Sequence, residues 1–304
     1  MAGVVACVVG GLLGLSLLAR GSAPEAGVPV SVVATVQTPK NVSGSQLTLN
    51  DLLVTQNKER RPVTGFTPLA AAGGLQLWLL IDDGTNEGVG LQLSDLRRFV
   101  LGQPATTQIG VGYMRNGSVA VAQALIQDHE LAAKSLRLPL GTPGISASPY
   151  LALTDLIHKW QAGAAAREVL MVSSGIDPVY GFGPDNPYVS EAIAAAQRAG
   201  VVVHTIYYSA AGWLGHSGRG IFWGQLYLAE LSDATGGEFY WQGNWNPVSF
   251  VPYLDDLNQR LNEQYELTFL AKPEKKPGFE NIKLATEIPS VRLVGPARVY
   301  VPAL

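Results

Sequence analysis

Hydrophobic positions along this chain change period several times, and each change marks an element. Residues 4–19 (VVACVVGGLLGLSLLA) form an unbroken run of apolar and small residues that ends at Arg20. A bilayer-spanning helix needs about 20 apolar residues, so a shorter run matches the core of an export signal. Gly21, Ser22 and Ala23 offer the cleavage region before Pro24, and an uncleaved anchor is the alternative. Residues 24–72 carry short apolar stretches (30–36 and 47–54) separated by turn-rich pieces such as Asn41-Val42-Ser43-Gly44, the pattern of short strands.

From residue 73 strands alternate with helical periodicity, which predicts an α/β domain with a mainly parallel sheet. Residues 75–81 (LQLWLLI) are apolar except for Gln76, as suits a central strand covered on both faces. Leu93, Leu96 and Val100 recur on one helical face. Alternation at Ile109, Val111 and Tyr113, the turn dipeptide Asn116-Gly117, and alternation again at Val119 and Val121 predict a β-hairpin over 108–124. The hairpin forces one antiparallel edge strand onto the sheet. Ser148-Pro149 reads as an N-cap and first helical position, with Leu153, Leu156, Ile157 and Trp160 on one face. Strands are expected at 168–172, 201–208 and 238–241, and helices at 189–199, 225–234 and from Pro252 onward, the first two closed by Gly200 and Gly236-Gly237. A strand at 265–270, a polar turn at 272–280 and β-type segments over 282–301 complete the chain. The expected division is a signal or anchor (1–23), an N-terminal β-rich segment (24–72), the α/β domain (73–263) and a C-terminal β-rich segment (264–304).

Composition narrows the function. Of 304 residues 47% are apolar and 15% charged, and the mean hydropathy is +0.16, which calls for a buried core rather than disorder. Lys and Arg number 21 against 24 Asp and Glu, a net charge of -3. That balance lacks the basic surplus needed to neutralise phosphates, so nucleic acid is not an expected partner. The single cysteine, Cys7, excludes an intrachain disulfide, a Cys redox pair and a multi-Cys metal site. It lies inside the apolar run rather than after it, against lipidation. Membrane contact is expected only through residues 1–23, if they remain attached.

Several stretches resemble the von Willebrand factor type A (VWA) domain family, and more closely the VWA-related proteins of Acidobacteria. They are Leu79-Leu80-Ile81-Asp82-Asp83, Leu93 to Val100 (LSDLRRFV), the hairpin at Asn116-Gly117, Arg167 to Asp177 (REVLMVSSGID), and Ala195 through Ala199-Gly200 into the following strand. Segments 47–66 and 264–302 are similar to the β-rich pieces that bracket the domain in those bacterial proteins. The resemblance implies a doubly wound, Rossmann-like α/β sheet with one antiparallel edge strand, and ligand binding at the carboxyl ends of its strands, where the family places a metal-ion-dependent adhesion site. There an Asp-x-Ser-x-Ser loop, a Thr from a second loop and an Asp after the fourth strand hold Mg²⁺. Here the loop reads Asp82-x-Gly84-x-Asn86, the position of the second Asp carries Ser174, and the second loop offers Thr142, Ser146 and Ser148. The implied metal set is therefore Asp82, Asn86, Ser148 and Ser174, a degenerate one, with Asp83, Glu87 and Asp177 as nearby carboxylates. Mg²⁺ demands near-octahedral oxygen ligation, so such a set is expected to stand empty, with no cofactor.

Two further constellations bear on function. Ser173 and Ser174 follow a strand, and Gly215-His216-Ser217-Gly218 approaches a hydrolase motif, but none of these serines has the glycines two before and two after that a nucleophile elbow requires. His204, inside a strand, reads as a core histidine, and no histidine pairs with another at zinc spacing. Ten of the 25 aromatic residues fall between Trp213 and Tyr253, several in Gly-rich loops. Loop aromatics bury large area with few rotatable bonds to immobilise, which makes Trp213, Phe222, Trp223 and Trp245 candidate partner anchors; packing over the sheet is the alternative. The sequence thus reads as an exported, non-catalytic protein-binding module, periplasmic or extracellular, anchored to the inner membrane if uncleaved. A Mg²⁺-dependent adhesion module and a serine hydrolase using Ser174 or Ser217 are the alternatives.

Overall fold

The strands with no polar face lie at the centre of the molecule. The computed structural model describes residues 27–38, 47–70, 74–140, 148–163 and 165–303; the N-terminal apolar run, the turn-rich piece at 41–44, Thr142 and Ser146 lie outside them. Strands β1 (Val28–Gln37), β2 (Leu52–Gln56), β3 (Glu59–Arg61) and β4 (Val63–Pro68) precede the α/β unit. That unit runs through β5 (Leu75–Asp82), α1 (Leu93–Leu101), β6 (Gln108–Arg115), β7 (Ser118–Ile126), α2 (His129–Lys134), α3 (Pro149–Lys159), β8 (Ala166–Ser173), α4 (Pro187–Ala199), β9 (Val201–Tyr207), α5 (Gly218–Thr235), β10 (Phe239–Tyr240) and α6 (Val251–Asn262). Strands β11 (Gln264–Ala271), β12 (Gly278–Thr286), β13 (Arg292–Val294) and β14 (Arg298–Val301) follow.

The six-stranded sheet has the order β10-β9-β8-β5-β6-β7, parallel except for β7 at the edge. This is the doubly wound order, with its switch point between β5 and β8. Asn116 (φ 50) and Gly117 (φ 71) turn the β6–β7 hairpin in the left-handed conformation that a type I′ turn needs. One face of the sheet packs Leu80, Val169, Met171 and Val203 against α3, α4 and α5, and the other packs Leu79, Val111, Leu170 and Ile206 against α1 and α6. The lone polar residue of the 75–81 run is satisfied: Gln76, partly buried, accepts from the Trp160 indole at 2.8 Å and donates to Gln108 at 2.7 Å. Caps close the helices where the sequence places them, with Ser148 at the start of α3 and Gly200 and Gly236, both left-handed, at the ends of α4 and α5.

The stretches before and after this unit join. Sheets β13-β1-β11-β4 and β14-β12-β2-β3, both antiparallel, face each other across a core that includes Ala34, Val54, Leu267, Phe269 and Leu284. Entry strand β4 and exit strand β11 are neighbours in one of these sheets, so the α/β unit is inserted between them.

Helix α5 begins at Gly218, two turns before the periodic stretch at 225. Glycines 218, 220 and 224 hide its first turns from a reading by periodicity. Gly224 is there for packing: a Cβ on it would meet the Ser174 carbonyl oxygen at 2.3 Å, so the helix lies directly on the backbone of the loop after β8. The turn expected over 272–280 ends earlier, because Gly278 already pairs with Val301. Residues 49–51 are a 3-10 turn rather than strand.

Candidate functional site

The carboxyl ends of β5 and β8 meet at the switch point, where doubly wound folds place their ligands. Asp82, the last residue of β5, is buried there. Its Oδ1 accepts the Gly84 N–H at 2.7 Å, and its Oδ2 accepts the Ser173 hydroxyl at 2.7 Å. Burial pushes the Asp82 carboxyl above the usual carboxylate range, against the pull of those two donors. Ser173, at the end of β8, in turn accepts the Gly175 N–H at 3.0 Å. Sequence reasoning chose the adjacent Ser174, but alternation along β8 aims Ser173 at Asp82, while the Ser174 hydroxyl accepts the Ile176 N–H at 3.3 Å.

The other implied ligands are also engaged. Asn86 Oδ1 accepts the Gly88 N–H at 2.9 Å as the cap of a 3-10 turn over Glu87–Gln92. Ser148 donates to Asp177 Oδ2 at 2.9 Å, and Asn186 donates to the same oxygen at 3.3 Å. Asp177 Oδ1 gathers the N–H groups of Val179 and Tyr180 at 2.9 and 3.1 Å. The structure therefore separates the four residues into an Asp82–Ser173 pair, a Ser148–Asp177 pair and two local turns. A strap closes the crevice as well. Asn86 N–H bonds the Ser209 carbonyl and Ala211 N–H the Gly84 carbonyl, each at 2.8 Å, around an antiparallel bridge between Thr85 and Ala210. Because β8 lies between β5 and β9, this bridge crosses its end.

Asp83 looks away from that centre. It is buried and held by the Arg137 guanidinium in a bidentate pair at 2.7 and 3.0 Å, and it also accepts the Leu140 N–H at 3.2 Å. The Arg137 guanidinium lies 3.6 Å from the centre of the Tyr113 ring, whose hydroxyl donates to the Arg137 carbonyl at 3.0 Å. The hydrogen-bonded Asp83 carboxylate raises the Arg137 pKa further. Sequence reading missed Arg137, which sits in an unpatterned stretch more than fifty positions from its partner.

Around this closed centre the loops expose large apolar side chains. Trp213 is 74%, Trp245 80%, Leu91 80% and Val248 91% exposed, and Phe222 and Trp241 are also exposed. Each lies in a loop or first helical turn that leaves the carboxyl end of a strand of the sheet. Trp223 differs from its neighbours: it sits on α5, half-buried, with its ring 5.7 Å from Tyr227 and 5.4 Å from Phe222. Of the four candidate anchors, Trp213, Phe222 and Trp245 project, and Trp223 packs beside Phe222.

Neither candidate nucleophile meets a base among the described residues. The Ser217 oxygen accepts the Gly220 N–H at 3.1 Å as the cap of α5. His204 is buried in β9, where Nε2 faces Glu168 at 2.9 Å and Nδ1 accepts the Glu238 N–H at 3.1 Å.

No protein-family model matches the chain, and no curated protein does. Solved structures are similar to it. They include BatB from Bacteroides thetaiotaomicron, at 12% identity over 62% of this chain and 97% of that one, with a TM-score of 0.44. The ArnB paralog VWA2 from Sulfolobus acidocaldarius is 11% identical over 90% of this chain and 76% of that one, with a TM-score of 0.41. Three N-terminal domains of the type V pili tip protein Mfa5 from Porphyromonas gingivalis are 8% identical over 93% of this chain and 67% of that one, with a TM-score of 0.43. These are distant likenesses of fold, and the function of the site rests on this chain's own geometry.

Proposed function

We propose that the protein is an exported, non-catalytic interaction module that holds a protein partner on the face at the carboxyl ends of the sheet strands. The observation that carries this reading is the set of projecting side chains on that face, with Trp213, Trp245, Leu91 and Val248 each at least 74% exposed. Large exposed apolar groups gathered at one end of a sheet are the signature of an interaction surface, and Trp is the commonest energetic anchor in such surfaces. Phe222 extends the set, and Trp223 packs beside Phe222. The face projects and the crevice beneath it is strapped shut, an arrangement suited to a macromolecular partner rather than a small substrate. Export rests on the apolar run at 4–19; among the described residues no helix is long and apolar enough to cross a membrane. The Acidobacteria relationship remains a resemblance of sequence.

The metal set does not fit Mg²⁺. Asp82 has an N–H or O–H donor on each oxygen, Ser148 is committed to Asp177, and Asn86 and Ser174 serve local turns. A hard divalent cation needs several free oxygen donors converging on one point, and we assign the face a metal-independent mode of binding.

The test is a displayed peptide library selected on the full chain. Affinities of the selected peptides are then measured for wild type, Trp213→Ala/Trp245→Ala and Asp82→Asn, with Mg²⁺ and with chelator. The double Trp variant is expected to lose affinity by roughly 30-fold, the effect of about 2 kcal/mol at an anchor. Binding that vanishes with chelator and in Asp82→Asn would overturn the metal-independent reading in favour of the adhesion-site mechanism.

A further inference from the structure

A second concentration of charge lies at the opposite end of the sheet. A cleft of about 330 Å³ opens where the start of β8, the end of α4 and strands β1 and β14 come together. It is built by the insertion itself, since the wall from β1 and β14 belongs to the β-sandwich and the floor from β8 and α4 to the α/β unit.

Two arginines line it. Arg167, half-buried at the start of β8, donates to the Ala199 carbonyl and so closes the C-terminal end of α4. A guanidinium carries five N–H donors, and among the described residues no carboxylate takes the others. Burial lowers the Arg167 pKa, the response of a cation without a counter-charge. Arg198 lies over the Phe279 and Tyr300 rings, at 5.1 and 5.0 Å from their centres, while the rings meet edge to face at 5.4 Å. Stacking engages the flat face of a guanidinium and leaves its in-plane donors free for a planar, two-oxygen acceptor. Arg198 also has no carboxylate partner among the described residues.

The third charge in the cleft is Glu266, half-buried on β11 and without an ion-pair partner among the described residues. The lining thus carries two positive groups and one negative one, and a third guanidinium, Arg298, stands 5.4 Å from the centre of the Phe279 ring that Arg198 covers, a surplus that suits an anion. Its remaining wall mixes polar Ser31, Gln197 and Thr235 with apolar Val33 and Leu69, Val33 lying opposite Glu266 on the same face of the β1–β11 pair, and the space beside it is open, since a Cβ on Gly200 would meet nothing within 4 Å. We propose that this cleft binds a small aliphatic carboxylate, its carboxylate held by Arg167 and Arg198 and its apolar body laid against Val33 and Leu69. The volume falls at the small end of ligand sites, which begin at about 300 Å³.

The full chain is titrated by calorimetry with hexanoate, hexanol and inorganic phosphate, as wild type, Arg198→Gln, Arg167→Lys and Trp213→Ala. Arg167→Lys keeps a cation at the helix end, so the fold is retained, and circular dichroism verifies this for each variant. Hexanoate is expected to saturate one site, to bind at least tenfold more weakly to either arginine variant, and to bind Trp213→Ala as it binds wild type. Hexanol is expected not to bind. The proposal is overturned by an absence of hexanoate binding, by wild-type affinity in either arginine variant, by hexanol matching hexanoate, or by phosphate binding more tightly than hexanoate.

Discussion

Replacing Gly224 by alanine sets two physical effects of opposite sign against each other. In an exposed helix interior the change stabilises by about 1 kcal/mol, because glycine loses more backbone freedom on folding than alanine. In this fold the new Cβ would stand 2.3 Å from the Ser174 carbonyl oxygen and 3.0 Å from the Ile176 nitrogen. Both neighbours are backbone, so no side chain can rotate away, and either the helix or the loop after β8 has to move. Overpacking of this kind costs about 1–3 kcal/mol. The contact is mutual, since a Cβ on Gly175, itself at φ +67, would meet the Gly224 carbonyl oxygen at 2.2 Å. The net expectation for Gly224→Ala is a loss of about 1–2 kcal/mol. Gly218→Ala is the control, for its Cβ would meet nothing within 4 Å, and its stability should stay within about 0.5 kcal/mol of wild type. Urea unfolding followed by near-ultraviolet circular dichroism measures both. Because the moving loop leads from Ser173 to Asp177, the variant should also weaken any ligand of the carboxyl-end face. A Gly224→Ala protein more stable than wild type by about 1 kcal/mol, with an unchanged near-ultraviolet spectrum, would refute the close approach of α5 to this loop.

Arg137→Met leaves the buried Asp83 carboxylate with a single backbone donor and should cost about 1–3 kcal/mol in urea unfolding, below the full penalty for a broken buried pair because Arg137 is itself partly exposed; an unchanged midpoint would show that Asp83 is solvated. Burial raises the Asp82 pKa in the folded state. The folded protein therefore keeps a proton that the unfolded chain has released, and the wild type loses stability as the pH rises through that range. Asp82→Asn escapes this loss, so its stability relative to wild type should improve as the pH rises above the ordinary carboxylate range, and a difference that stays constant with pH would contradict the assignment. Trp213→Ala and Trp245→Ala should each change unfolding stability by less than about 0.5 kcal/mol, since both side chains are largely exposed; a larger loss would place them in the core rather than on a binding face.

The doubly wound sheet was legible because its signals are local. A strand covered on both faces shows as an apolar run such as 75–81, a type I′ turn shows as Asn116-Gly117, and a left-handed helix end shows as Gly200 or Gly236. The N-cap at Ser148 was legible for the same reason. The start of α5 was not, because glycines at 218, 220 and 224 break its apolar periodicity, and Gly224 serves a neighbouring backbone rather than the helix that contains it. Trp223 shows the same limit: its sequence neighbourhood matches that of Phe222, yet one ring projects and the other lies half-buried beside Tyr227.

The site divides along that line. By itself the sequence determined that an aspartate ends the first strand of the sheet, that glycine and asparagine stand where the VWA pattern has serines, and that aromatics crowd the stretch after Trp213. Tertiary structure alone decided that Ser173 rather than Ser174 reaches Asp82, that Arg137 neutralises Asp83, that Ser148 turns to Asp177, and that β1 and β11 pair across the inserted unit. Residue type and periodicity are properties of neighbours along the chain. Which hydroxyl meets which carboxylate depends on strand register and helix placement, which are set by contacts far apart in sequence.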